Sequence, residues 1–116
     1  MSEGGTVMAE ADSRSRDLAE AFKAVSNPSR LQIMQWLRDP DAHFGQFEAD
    51  EDRRAVGVCA SHIQAKAGLA PSTVSQHLSV LQRAGLVHTV RRGRRTHFRR
   101  NERRIAQLAD ALMATL

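Results

Sequence analysis

From Pro71 to Gly85 the apolar residues Val74, Leu78 and Leu81 fall at helical spacing, and directly afterwards Leu86 to Arg92 and Arg95 to Arg100 form two strand-like runs around Gly93. Steps of three and four residues put one stripe on one side of a helix. The β-branched and aromatic residues Val87, Thr89, Val90, Thr96 and Phe98 on either side of a glycine predict a hairpin. A helix feeding straight into a two-stranded arm is the tightest constraint this chain places on its fold. The other face of that helix carries Ser72, Thr73, Ser75, Gln76, Ser79 and Gln82, with almost no charge. A face that only meets solvent is usually built from Lys and Glu, which favour helix and solubility. Short hydroxyls and amides make directed hydrogen bonds instead.

The rest of the chain reads around this unit. Residues 1–13 are small and polar and predict a disordered tail, and residues 14–116 predict one domain. Leu18, Ala21, Phe22 and Val25 give a first helix ending near Ser26. Asn27-Pro28 restarts the helix, because Asn caps free amides and Pro at the first position has no N–H to leave unpaired. Leu31, Met34 and Leu37 are expected to form the buried stripe of this second helix, with Ile33 and Trp36 at its margins. Residues 39–55 show no sustained periodicity and contain Pro40, Gly45 and the acids Glu48, Asp50, Glu51 and Asp52, so a long acidic loop is expected. Val56 to Val58 suggests a short strand, and Ile63, Ala67 and Leu69 a brief third helix closed by Gly68. Asn101 caps a last helix bearing Ile105, Leu108, Ala109, Leu112 and Leu116.

Charge distribution points to the partner. Residues 1–52 hold five basic and eleven acidic side chains, residues 53–101 hold ten basic and none acidic, and residues 102–116 hold two of each, so a total of +4 conceals a segment of +10. Forty-nine residues without Asp or Glu predict a polyanion. Eight arginines fall between Arg91 and Arg104. Guanidinium binds phosphate in bidentate fashion and suits narrow minor grooves.

Two short helices meeting at a tight turn form a helix-turn-helix, whose second helix can enter a major groove about 12 Å wide. Ser72, Thr73, Ser75 and Gln76 are then candidates for reading base edges, with His77 at the boundary between core and interface. Arg92, Arg94 and Arg95 at the hairpin tip are candidates for holding the DNA backbone.

The segments "NPSRLQIMQWL", "STVSQHLSVLQRAGLV" and "RRGRRTHFRR", with a final helix after them, resemble the ArsR/SmtB family of winged helix-turn-helix repressors between about Leu18 and Leu112. The resemblance implies a mostly α fold with a small β-hairpin, a homodimer joined through the N- and C-terminal helices, and a palindromic double-stranded operator released by an effector. The sequence does not identify that effector. Two departures stand out. Ala70 occupies a position where many relatives have a capping Ser. Where metal-sensing relatives carry Cys-x-Cys this chain reads Gly57-Val58-Cys59, and residues 101–116 contain no His for the family's other metal site. No cofactor and no metal site are therefore expected, although Cys59 with His62 and His43 leaves a metal- or redox-responsive alternative open.

Other function classes fare less well. An RNA-binding domain would be expected to expose aromatic pairs for stacking, and Phe98 stands alone on the hairpin. An enzyme would need a carboxylate near its histidines or a Gly-rich phosphate loop, and the basic half has neither. No apolar run reaches the roughly 18 residues needed to cross a bilayer, and the N-terminus has no signal-peptide pattern. One cysteine fits a reducing compartment, so a cytoplasmic protein is expected.

Overall fold

The computed structural model describes residues 2–49 and 51–116, with side chains from Ser13 onward. In chain order it contains α1 (Ser2–Val25), α2 (Pro28–Arg38), α3 (Pro40–Phe44), α4 (Arg53–Val56), β1 (Val58–Cys59), α5 (Ala60–Ala67), α6 (Pro71–Arg83), β2 (Val87–Arg92), β3 (Arg95–Arg100) and α7 (Glu102–Thr115). Local chemistry explains most boundaries. Asn27 Oδ1 accepts from the amides of Ser29 at 2.9 Å and Arg30 at 3.1 Å, which starts α2. Gly68 ends α5 in the left-handed conformation, and Asn101 Oδ1 accepts from the Arg104 amide at 3.1 Å to start α7. In the hairpin Arg92 pairs with Arg95, leaving Gly93 at φ +60 as the first of two turn residues, where a side chain would be strained.

The core gathers Ile33, Phe44, Val58, Ile63, Val74 and Leu81, which are almost fully buried. Val74, Leu78 and Leu81 are buried as the spacing of α6 requires. The second helix departs from expectation. Its buried stripe is Ile33, Met34 and Leu37, while Leu31 is 45% exposed. At 100° per residue Leu31 lies about 200° from Ile33, so a helix that packs through Ile33 turns Leu31 outward.

Three further expectations need correction. Residues 39–55 are not one loop, since they contain α3 and the start of α4. Five- and four-residue helices are too short to show a periodic stripe; α4 is held by the Asp52 cap on the Arg54 amide and by Arg53 beside Asp41, and the segment around α3 by aromatic packing. Phe44 is fully buried edge-on to Trp36 at 6.3 Å, and Phe47 stacks on His62 at 4.6 Å. Asp50 of the acidic cluster lies outside the described residues. The short strand begins at Val58 rather than Val56 and joins the hairpin, so the sheet is three-stranded and antiparallel in the order β1-β3-β2, with Val58 opposite Phe98 and Cys59 opposite His97. The tail expected over residues 1–13 falls almost wholly outside the described side chains, and the backbone from Ser2 belongs to α1.

α1 packs against α7, where Arg104 Nη2 donates to Asp17 Oδ1 at 2.8 Å. No residue of α7 is fully buried within the chain, and Met113 and Leu116 stand exposed. Among the described residues no helix is long and apolar enough to cross a membrane.

Candidate nucleic-acid interface

α5, the turn at Gly68 and α6 form the helix-turn-helix, with the β2–β3 hairpin directly after it. Burying Val74, Leu78 and Leu81 forces the opposite side of α6 outward, so Ser72, Ser75 and Gln76 are exposed and Thr73 is half-buried. None of these four side chains makes a hydrogen bond within the described residues. Their donors and acceptors are free for a partner. Ala70 supplies no side-chain cap to α6, so the partial positive charge at the helix start also stays uncompensated.

His77 is placed differently. It is half-buried, and its Nδ1 lies 3.3 Å from Arg30 Nη1. A guanidinium only donates, so Nδ1 accepts and the ring proton sits on Nε2. Burial, and then the Arg30 charge, hold the His77 pKa below its ordinary value of 6.5, which keeps this neutral tautomer. Arg30 also donates through Nε to the Ala24 carbonyl at 2.5 Å and through Nη2 to that of Lys23 at 3.4 Å. It thus ties the end of α1 to α6. The sequence reading missed Arg30, whose only signal was a basic residue among the apolar positions of "NPSRLQIM".

The hairpin arginines divide into two groups. Arg91 folds back on its own turn, with Nε to the Gly93 carbonyl at 3.0 Å and Nη1 to Thr96 Oγ1 at 3.1 Å. Arg92 Nε meets Glu51 Oε2 at 2.9 Å, Arg100 Nε meets Glu102 Oε1 at 3.0 Å, and Arg104 meets Asp17. Glu51 and Glu102, at the two ends of the basic segment, therefore reach into it. Arg94 and Arg95 are exposed and have no acid partner among the described residues.

The Gly57-Val58-Cys59 departure has a structural cause. Gly57 has φ +96, and a Cβ there would lie 2.5 Å from the Phe98 carbonyl oxygen. β3 runs too close for any side chain, a cysteine included. Cys59 is buried with Sγ 3.2 Å from Ser61 Oγ. Cys59 and His62 line one cavity that His43 does not reach, and no three His, Cys, Asp or Glu side chains among the described residues are arranged to hold a metal ion.

Residues 25–90 match the family model described as a helix-turn-helix domain. The chain is 50% identical over 93 residues to the HTH-type transcriptional regulator YbzH of Bacillus subtilis, covering 80% of this chain and 92% of that one. The chain belongs to the helix-turn-helix transcriptional regulators. The likeness to the ArsR type is structural: the homodimeric winged helix-turn-helix domain of Mb0332 from Mycobacterium bovis, a possible ArsR-family regulator, superposes with a TM-score of 0.61 at 25% identity, covering 89% of this chain and 82% of that one. The biofilm growth-associated repressor of Xylella fastidiosa is 29% identical over 101 residues, covering 87% of this chain and 75% of its own. As a helix-turn-helix regulator the chain is a DNA-binding transcription factor and not an enzyme.

Proposed function

We propose that this regulator is a cytoplasmic homodimeric repressor that binds a palindromic operator without the metal sites usual in its family. The observation that carries the reading is the edge of α6: Ser72, Thr73, Ser75 and Gln76 face outward, uncharged and without internal hydrogen bonds among the described residues, beside a hairpin whose Arg94, Arg95 and Arg99 are exposed and unpaired there. Hydroxyls and amides discriminate base edges in the major groove, where each base pair displays its own set of donors and acceptors. Arg94 and Arg95, and Arg92 once it leaves Glu51, hold phosphates on either side and supply affinity on any sequence. His77 contributes by fixing the position of α6 through Arg30, and its Nε2–H remains available to the duplex.

Two features support the dimer. The apolar side of α7 is left incompletely covered by its own chain, and Mb0332 is described as homodimeric. Two-fold symmetry spaces the recognition helices about 34 Å apart, one turn of DNA. Repression is favoured by the likeness to the Xylella repressor. Footprinting on the DNA upstream of the chain's own gene tests the whole reading. Two protected half-sites one helical turn apart, bound by a dimer in sedimentation, are expected; a single unpaired site bound by a monomer contradicts it.

A further inference from the structure

A cavity of about 120 Å³ lies between the segment that ends in β1 and the wing, floored by Val56, Gly57 and Cys59. Its walls carry Arg53, His62, Arg92, Arg95 and His97, and the acids beside them are Glu48 and Glu51. Two of the wall residues bear buried nitrogens without a hydrogen-bond partner, Arg53 Nε and His97 Nδ1. Buried polar groups are nearly always paired, so each of these calls for a partner. Arg53 Nε can only donate, and His97 Nδ1 donates in one of its two tautomers. Arg95 also lacks an acid partner among the described residues.

Glu51 is paired with Arg92 and Asp41 with Arg53, and cationic groups still dominate the field at His62. The His62 pKa is held below 6.5 first by burial and then by the charges of Arg53 and Arg95 and by His97. Glu51 already sets a carboxylate against Arg92 at 2.9 Å, which is the kind of group these walls accept. Among the described residues no three His, Cys, Asp or Glu side chains are arranged there to hold a cation. Size narrows the choice further. A water molecule takes about 30 Å³, so the cavity holds about four, whereas sites for drug-sized ligands run to roughly 300–1,000 Å³.

We propose that this cavity binds a small oxyanion, phosphate or a short carboxylate in size, through Arg53, Arg95 and His97, and that its occupancy weakens DNA binding. Arg92 and Arg95 are the two residues that flank the wing turn. An anion held by Arg95 withdraws that guanidinium from a DNA phosphate and adds negative charge beside the duplex. The regulatory half of the proposal rests on the wing touching DNA; the site itself does not.

The test begins without DNA. The full chain is titrated with inorganic phosphate, and separately with acetate, against chloride at constant ionic strength, while the His62 and His97 ring signals are followed by NMR. Saturable binding of at least one of the two, weakened at least tenfold in His97→Gln and in the solvent-facing variant Arg95→Met, is expected. The comparison of phosphate with acetate tells a tetrahedral from a planar ligand. Linear, non-saturating shifts with both anions, or equal affinity in wild type and in folded variants, would overturn the site. Adding the saturating anion to a DNA-binding assay at fixed ionic strength is expected to weaken binding by wild type more than by His97→Gln. Saturable binding with no such difference would retain the site and overturn the regulation, and the salt dependence of Arg94→Ala reports separately whether the wing touches DNA.

Discussion

The recognition helix and the wing meet the same partner with opposite chemistry. The exposed edge of α6 has directional groups and no charge, whereas the wing has charge and few other polar groups. The protein interior treats them differently too. α6 is fixed by its buried stripe and by Arg30 on His77, and Ser72, Thr73, Ser75 and Gln76 make no side-chain hydrogen bonds among the described residues. In the wing, Arg91, Arg92 and Arg100 are occupied within the chain, and only some of the positive charge remains free. Sequence discrimination needs groups that stay uncommitted until they meet a base, while a charge still attracts phosphate at a distance even when partly paired.

The largest effect is expected where the two regions share a support. Gly57→Ala places a methyl group against the β3 backbone at positive φ, and a loss on the order of 3 kcal/mol in urea unfolding is expected from the strain and the displaced strand. Wild-type stability would show that β1 and β3 are not as close as described. Next, Gln76→Ala should weaken operator binding by about 1 to 3 kcal/mol and leave binding to unrelated duplex nearly unchanged. Equal losses on both DNAs would erase the distinction between helix and wing.

Arg94→Ala should lower affinity on every sequence and reduce the log–log salt slope by roughly one unit for one lost phosphate contact. Arg91→Ala, whose guanidinium is held by Gly93 and Thr96, should reduce it less. Identical slopes for the two variants would show that internal pairing does not sort the wing arginines. The smallest effect is a pH dependence. His77 and His62 have folded-state pKa values below 6.5, so below that pH the unfolded chain takes up protons that the folded chain resists. Stability should therefore be full above pH 6.5 and fall as the pH drops through it. Urea midpoints at pH 7.5 and 5.5 should differ more in wild type than in a variant with both residues changed to Gln.

How much of this was legible in the sequence depended on whether the determining contact was local. Capping by Asn27 and Asn101, the turn at Gly93 and the stripe of α6 are decided within a few residues, and each could be read directly. The recognition edge follows from that stripe by rotation around one helix. The outward turn of Leu31 depends on which side of α2 the rest of the chain covers. Glu51 and Arg92 lie 41 positions apart and Arg30 and His77 lie 47 apart, so neither pair leaves a mark in spacing. Within residues 39–55, Phe44 and Phe47 pack on Trp36 and His62 and Arg53 pairs with Asp41, and a periodicity search cannot see such contacts.

Whether the α6 edge reads bases is decided by backbone amide shifts of the full chain on addition of a short duplex carrying its operator half-site. The largest changes are expected at residues 72–76 of α6 and 92–95 of the wing, with those of α6 absent when the duplex is of unrelated sequence. Changes confined to other surfaces, with the α6 edge unmoved by the operator, would contradict base reading by α6.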